Sequence, residues 1–320
     1  MKKMRQCILA AISAMALLAV PVHAEEAAVH VTALKGPTAM GLVKMMDEAD
    51  AGYSFEIAPS ADVVAPALVK GEVDIAAVPA NLASVLYNNT QGGVQVLAVN
   101  TLGVIYIVDT SGEVNSVEDL KGRTIYASGK GATPEYALDY ILTGNGLDPE
   151  KDVQLEWKSE HAECLASLLS DPEGIAMLPQ PFVTTAQMQN DQVRVALDLT
   201  EEWDKLQEGK EDASGLITGV AVVRTAFAEE HPDEVAAFLE GYKGSVEYVN
   251  ANTAEAAELI GGFDIVPAPV AEKALPACNI TFISGDEMKA KLSGYLQVLY
   301  DQNPESVGGA LPGDDFYYAP

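Results

Sequence analysis

The sequence predicts an α/β protein that is built from two similar halves. Short apolar runs alternate with helical repeats along most of the chain, and this alternation restarts after residue 103. A Lys-Gly-X-Thr segment occurs once in each half, at 35–38 and 130–133, and each copy follows a strand and precedes a helix. The 320 residues are enough for about two domains, and the apolar fraction of 48% is enough for substantial cores.

The first half contains predicted strands that alternate with helical segments. The strands are expected over 29–34, 53–58, 73–78 and 94–99, where apolar residues alternate or small and β-branched residues cluster. Helical spacing with Gly or Pro at the boundaries predicts helices over 40–46, 61–69 and 79–87. This order predicts a parallel sheet with right-handed crossovers.

The second half repeats the pattern. Strands are predicted over 104–108, 124–127, 153–157, 175–178 and 193–197, and helices over 134–142, 162–169 and 182–189. Ser116 and Asp119 have the spacing of a capping box. The acidic stretch 201–212 is expected to be a solvated surface segment. A strand over 217–223 and a long helix over 232–250 follow, and the Gly- and Pro-rich tail from 308 is expected to form an ordered or half-ordered strap.

The first residues predict export from the cytoplasm. Two lysines and an arginine precede an apolar run over 8–20, and Ala24 supplies the small residue at which a signal peptide, 1–24, would be cleaved. The run is short for a membrane span, although an uncleaved anchor is the alternative. The cleaved chain has 16 Lys and Arg against 47 Asp and Glu, a formal charge of −31. Nucleic acids and anionic membranes are therefore poor partners.

Motifs of common enzymes and metal sites are missing from the sequence. It contains no G-x-S-x-G, no Walker sequence and no C-x-x-C, and the segment from Gly129 lacks the third glycine of a dinucleotide fingerprint. His161 and Glu163 form the H-x-E of zinc deaminases, but their P-C-x-x-C is absent. Cys164 and Cys278 are expected to be buried thiols, with a disulfide as the alternative. We therefore predict no catalytic residue, no metal and no cofactor.

Loops between strands and helices are better candidates for a binding site. Four of them lie where predicted parallel strands end: Lys35 to Thr38, Pro59-Ser60, Pro79 to Asn81, and Gly131 to Thr133. Ligands bind at this edge of an open sheet, close to the free N–H groups and positive dipole ends of the following helices. The polar side chains could equally cap their own helices. Lys35 and Lys130 could draw an anionic group to the site, or could be ordinary surface lysines.

Several segments resemble the solute-binding proteins of ABC importers, in particular the group for sulfonates, taurine, nitrate and thiamine pyrimidine precursors. The resemblance rests on 33–42, 71–81, 116–122, 218–224 and His231-Pro232. It implies a type II periplasmic-binding-protein fold, with two Rossmann-like lobes around a ligand cleft that closes by hinge motion. The implied lobes are 25–101 plus 221–320, and 102–220.

The resemblance also implies where the ligand and the hinge lie. The family's ligand contacts correspond to Gly36, Pro37, Thr38, Ser60, Pro79, Ala80, Asn81, Ala132 and Thr133, while Gln180 and Pro181 occupy the fourth loop of the second lobe. The implied hinge comprises Asn100, Thr101, Leu102 and Gly103, together with Thr218 and Gly219. Because the lipobox cysteine of anchored members is missing, we expect a protein that is periplasmic, released, or held by an uncleaved signal. We also expect a monomer.

These observations predict capture of a small polar organic solute, sulfonate-, pyrimidine- or carboxylate-like, and its delivery to the transmembrane subunits of an ABC permease without catalysis. Specificity would come from hydrogen bonds at helix starts. An enzyme on the same fold, similar to a pyrimidine synthase, is one alternative, and it would need a reactive histidine or lysine in the cleft. An extracellular sensor domain with a histidine kinase as partner is the other.

Overall fold

The computed structural model describes residues 29–50, 52–210 and 213–319. Within them the strands form two sheets. The strands are β1 (Val29–Leu34), β2 (Tyr53–Ala58), β3 (Ile75–Pro79), β4 (Val94–Leu102), β5 (Ile105–Asp109), β6 (Thr124–Ser128), β7 (Gln154–Lys158), β8 (Ile175–Pro179), β9 (Arg194–Asp198), β10 (Ile217–Arg224) and β11 (Ile280–Ile283).

Helices cover both faces of the two sheets. They are α1 (Pro37–Met40), α2 (Val43–Asp47), α3 (Ala61–Lys70), α4 (Ala80–Thr90), α5 (Thr133–Gly144), α6 (His161–Ser170), α7 (Phe182–Gln189), α8 (Leu199–Gln207), α9 (Thr225–Glu230), α10 (Pro232–Ala251), α11 (Thr253–Gly262), α12 (Ala268–Ala274) and α13 (Gly285–Gln302). At the predicted capping box, the Ser116 N–H donates to the Asp119 carboxylate at 2.9 Å.

The first sheet has the strand order β11-β4-β10-β3-β1-β2. β1 pairs in parallel with β2 and β3, but β10 lies antiparallel between β3 and β4. The prediction of a wholly parallel sheet is therefore wrong. The reason is that the chain enters this sheet a second time, as β10, when it returns from the second sheet, and it then runs in the opposite direction.

The second sheet has the order β7-β6-β8-β5-β9, with β6 parallel to β7 and β8, and β5 antiparallel between β8 and β9. Its order matches β2-β1-β3-β10-β4 of the first sheet, strand for strand. β1 and β6 hold equivalent positions, and a Lys-Gly-X-Thr segment follows each of them. The predicted α/β class with two similarly built lobes is confirmed.

Helix α8 corrects the interpretation of the acidic stretch 201–212. Its N-terminus is capped by Asp198, whose carboxylate accepts the Thr200 N–H at 2.8 Å. Trp203 is fully buried, and its indole N–H donates to the Ser214 carbonyl at 3.1 Å. The acidic side chains occupy one face of an amphipathic helix, and the other face packs into the core.

A continuous apolar core joins the two sheets on one side. It includes residues of α4, α5, α8 and α13, and the rings of Trp203 and Tyr295 are 5.7 Å apart within it. Separate cores lie on the opposite faces of the first and second sheets. The tail is an ordered strap, because Phe316 is fully buried and the Tyr318 N–H donates to the Val96 carbonyl at 3.0 Å.

Two neighbouring crossings carry the chain between the sheets. β4 ends at Leu102 and β5 begins at Ile105, while β10 begins at Ile217 and pairs with β4. The Thr218 hydroxyl donates to the Leu102 carbonyl at 2.5 Å, which ties the crossings together. The residues predicted as a hinge, 100–103 and 218–219, lie at these crossings.

Cys164 and Cys278 are buried free thiols. Across residues 29–319, apart from the gaps at 51 and 211–212, no helix has the length and apolarity needed to cross a bilayer. The same residues contain no cluster of three or more potential metal ligands. The predicted signal peptide, which contains the third cysteine of the sequence, Cys7, lies outside the described residues.

Candidate functional site

The carboxyl edges of the two sheets meet at the starts of α4 and α5. Thr133, the first residue of α5, has its hydroxyl 3.4 Å from the Asn81 amide oxygen in α4. The Tyr295 hydroxyl of α13 lies 3.0 Å from the same Thr133 oxygen. All three side chains are buried. The structure thus brings together two of the predicted loops, 79–81 and 131–133, from different sheets.

Further contacts hold this polar group in place. The Asn81 amide donates to the Ser306 carbonyl at 3.3 Å, which fixes its orientation. Burial raises the pKa of Tyr295, so its hydroxyl keeps its proton and remains a donor. Since Asn81 and Thr133 already have protein partners, their side chains contribute first to the contact between the two sheets.

The loop 35–38 lies against the second crossing. Gly36 precedes α1 with φ 129°, in the region that favours glycine. The Thr38 hydroxyl donates to the Leu34 carbonyl at 2.9 Å. A Cβ on Gly219 would lie 2.7 Å from the Thr38 methyl carbon, so this loop and β10 are in close contact. Lys35 points to Asp264, with 3.4 Å between the ammonium and the carboxylate, and both groups are exposed.

The alternative that the loop side chains cap their helices is wrong. The positions before α1, α3, α4 and α5 are occupied by Gly36, Ser60, Pro79 and Ala132, and none of them makes a side-chain cap. Ser60 is exposed. The N–H groups at these four helix starts are therefore not engaged by side-chain caps at the preceding residue.

Two predicted contacts of the second sheet are already used within the protein. The Gly131 N–H donates to the Glu135 carboxylate, and Lys130 beside it is exposed. The side-chain amide oxygen of Gln180 accepts from the Thr184 hydroxyl at 2.9 Å, and the backbone N–H of Gln180 donates to the Val104 carbonyl at 2.9 Å. Pro181 is buried at the start of α7.

A histidine at the same edge was not among the predicted site residues, although the sequence drew attention to it as part of an incomplete zinc-deaminase motif. His161 is the first residue of α6, and its Nδ1 lies 2.5 Å from the Ser128 hydroxyl at the end of β6. The ring of Phe182, which begins α7, is 5.3 Å away. Burial lowers the pKa of His161 to about 4, so the ring is neutral at pH 7. Its place after a strand is the signal that could have identified it, because the four selected loops share that place.

The Ser128–His161 pair is not arranged like a hydrolase nucleophile and base. Ser128 is 2% exposed, so a substrate carbonyl has no access to its hydroxyl. Within the described residues no carboxylate accepts a hydrogen bond from His161, so the group that would orient a catalytic imidazole is not in place. The pair can instead present a fixed, neutral hydrogen-bonding group.

Comparison with known proteins gives a consistent result. The profile of one family, described as ABC transporter, phosphonate, periplasmic substrate-binding protein, matches residues 41–264. No curated protein matches the chain. The structure of an ABC transporter from Parabacteroides distasonis is similar over 92% of this chain and 99% of its own, with 22% identity and a TM-score of 0.78.

Two further solved structures share the fold. The periplasmic aliphatic sulphonate binding protein SsuA from Escherichia coli matches over 92% of both chains, with 18% identity and a TM-score of 0.71. The periplasmic nitrate-binding protein NrtA from Synechocystis PCC 6803 matches over 76% of this chain and 68% of its own, with 14% identity and a TM-score of 0.56.

Proposed function

Because the chain belongs to the family of periplasmic substrate-binding proteins of phosphonate ABC transporters, we propose that it captures a small oxyanion-bearing solute between its two sheets. Proteins of this family bind small molecules outside the cytoplasm and deliver them to an ABC permease, and they are not enzymes. The family match does not identify this chain's ligand or the residues that bind it, so both are inferred from the geometry of the chain itself.

The contact between Thr133 and Asn81 is the observation that carries the proposal. Their hydroxyl and amide oxygens are 3.4 Å apart, although the residues begin helices on different sheets. The N-termini of α4 and α5 therefore point into the same space, and helix N-termini favour negative charge. A ligand with several acceptor oxygens can use N–H groups from both sheets, which holds the sheets together.

The comparisons and the charge of the chain support an oxyanion. The description of the matched family names phosphonate, and two proteins of similar structure are named as binding a sulphonate and nitrate, respectively. These three ligands share acceptor oxygens on one central atom. The cleaved chain would carry a formal charge of −31, so an anion needs donors at close range to be held. Among the predicted ligand classes, sulfonate- and carboxylate-like solutes carry such oxygens, and the pyrimidine-like class has less support.

The lobes and the hinge complete the proposal. We assign 25–101 plus 221–320 to one lobe and 102–220 to the other, with a hinge at 100–103 and 218–219. The boundary at 220 falls within β10, whose residues 217–220 pair with β3 and β4 of the first lobe. The pairing of β4 with β10 supports this placement, because both crossings lie side by side and can bend together. Cleavage after Ala24 and a monomeric state belong to the same proposal.

Ligand identification tests the proposed function directly. Protein purified from its native compartment is denatured, and the released small molecule is identified by mass spectrometry. Recovery of an intact oxyanion supports capture for transport, whereas recovery of a chemically altered product would support an enzyme. A histidine kinase gene beside the chain's gene, with no permease gene, would favour the sensor alternative.

A matched pair of variants tests the site. We expect Thr133→Ala to weaken binding of the identified ligand about fivefold, because it removes a neutral hydrogen bond of about 1 kcal/mol that holds the two helix starts together around the ligand. Thr253→Ala is the control, because Thr253 is also the first residue of a helix but lies in α11, away from the two loops. Equal affinities of both variants and the wild type would contradict the placement of the site.

A further inference from the structure

His161 is a neutral polar group at the carboxyl edge of the second sheet. It begins α6, while Ser128 ends β6 and Phe182 begins α7. Parallel strands end at the same edge, so these residues lie along the edge on which Thr133 meets the first sheet. This is the edge that the proposed function assigns to the ligand.

Ser128 and Phe182 fix the orientation of the imidazole ring. Nδ1 lies 2.5 Å from the Ser128 hydroxyl, and Ser128 is 2% exposed in a strand of the sheet. The Phe182 ring lies 5.3 Å away with an angle of 52° between the planes. Within the described part of the chain, Nε2 of His161 has no hydrogen-bond partner. The ring is therefore held through one nitrogen, and the other is free to contact a ligand.

The surroundings of Ser128 indicate which nitrogen carries the proton. Burial raises the pKa of the neighbouring Cys164 thiol, although the Ser128 hydroxyl opposes this effect, so the thiol stays protonated at pH 7. Because a neutral imidazole nitrogen is a better acceptor than a hydroxyl or a thiol, we infer that the Ser128 hydroxyl donates to Nδ1. The ring proton then resides on Nε2, which makes that atom a donor.

The nearby cation is engaged elsewhere. Lys158, at the end of β7, has its ammonium 2.5 Å from the Glu156 carboxylate and 5.4 Å from the centre of the Tyr126 ring. Glu163 accepts the Ser159 N–H at 2.9 Å. Beside the helix N–H groups, His161 therefore offers an uncharged N–H donor, whereas Lys130 on the same edge is exposed to solvent.

We propose that Nε2–H of His161, with Ser128 as its positioning residue, is the contact that selects an oxyanion bearing acceptors only, such as a sulfonate or a carboxylate. The inference rests on the proposed function. A singly protonated phosphonate carries an O–H that needs an acceptor, and neither Nε2–H nor the helix N–H groups supply one. A fully ionised phosphonate brings a second negative charge into a strongly acidic protein.

Two substitutions of His161 separate its two nitrogens. His161→Gln retains an N–H near the position of Nε2, whereas His161→Asn is too short to reach that position. Isothermal titration calorimetry with methanesulfonate, acetate and methylphosphonate is performed on wild type and both variants. His231→Asn is the control, because His231 is exposed and directly precedes α10, which is one of the helices of the first sheet.

We expect His161→Asn to bind methanesulfonate or acetate at least tenfold more weakly than wild type, because a hydrogen bond to a charged acceptor is lost. The affinity of His161→Gln for these ligands stays within about threefold of the wild-type value, and the affinity of His231→Asn is unchanged. Methylphosphonate binds more weakly than methanesulfonate to the wild type. In the ligand-free protein, ¹⁵N imidazole NMR at pH 7 shows the Nε2–H tautomer of His161, a result that does not depend on how any variant folds.

Several results would overturn the proposal. Unchanged affinity in His161→Asn, together with weaker binding in Thr133→Ala, would remove His161 from the site and leave the proposed function intact. The Nδ1–H tautomer, or tighter binding of methylphosphonate, would refute the donor role. If no probe binds to the wild type, both the oxyanion class and the role of His161 are wrong.

Discussion

Gly219 is the position at which a single added carbon tests the contact between the second crossing and the candidate site. A Cβ there would lie 2.4 Å from the Asn100 amide oxygen and 2.7 Å from the Thr38 methyl carbon. Asn100 is 1% exposed, and its oxygen accepts the Thr101 hydroxyl at 3.0 Å, so it has no free space into which to move. Gly219→Ala must therefore displace either the strand or the loop 35–38.

The expected change in the free energy of unfolding of Gly219→Ala follows from two opposing effects. Overpacking of a tight site costs about 1–3 kcal/mol. Replacement of glycine by alanine recovers about 0.4–1 kcal/mol through the unfolded chain. We expect the free energy of unfolding to fall by about 1–2 kcal/mol, and binding of methanesulfonate to weaken because Thr38 is displaced.

Urea denaturation followed by circular dichroism measures the first effect, and calorimetry measures the second. Gly215→Ala is the matched control in the same segment, because a Cβ at Gly215 would meet no atom within 4 Å. If Gly219→Ala is as stable as Gly215→Ala and binds equally well, β10 and the loop 35–38 are not in tight contact, and the reasoning is refuted.

Three other substitutions test separate features. Burial raises the pKa of Asp139 to about 6, so the folded protein binds this proton at a higher pH than the unfolded chain does, and stability is lost as the pH rises from about 4 to about 6. Asp139→Asn should therefore raise the free energy of unfolding at pH 7 by about 1–2 kcal/mol and flatten this pH dependence in urea titrations. Asp198→Ala removes the cap of α8 and should lower the unfolding free energy by about 1 kcal/mol, whereas Asp198→Asn should restore most of it. Tyr295→Phe loses the 3.0 Å contact with Thr133 and should cost about 1 kcal/mol with native circular dichroism; no change would contradict that contact.

Local patterns were sufficient to predict most of the elements. The segments 29–34, 53–58 and 182–189 have the same bounds in the prediction and in the structure. Their alternation or helical spacing ends at Gly, Pro or a polar turn, and these signals act within a few residues. Element identity in this chain therefore depends mainly on neighbouring residues.

Pairing and partners at long range could not be predicted. The insertion of β10 between β3 and β4 depends on a chain that returns after a whole second sheet. Thr133 was selected for its loop, but its partner Tyr295 lies 162 residues further along the chain. α8 was missed because the acidic face dominates its composition, although Trp203 anchors its other face in the core.

Lys35 and Lys130 contribute less to the candidate anion site than their positions in the sequence suggested. Lys35 is exposed and close to Asp264, and Lys130 is exposed beside a glycine whose N–H is bound by Glu135. Exposed charges act at long range and are screened by salt, whereas N–H donors at helix starts act only at contact. If helix starts and His161 hold the ligand, the dissociation constant of methanesulfonate should change less than threefold between low and physiological salt. A steep loss of affinity with added salt would show that the two lysines, and not the neutral donors, carry the binding.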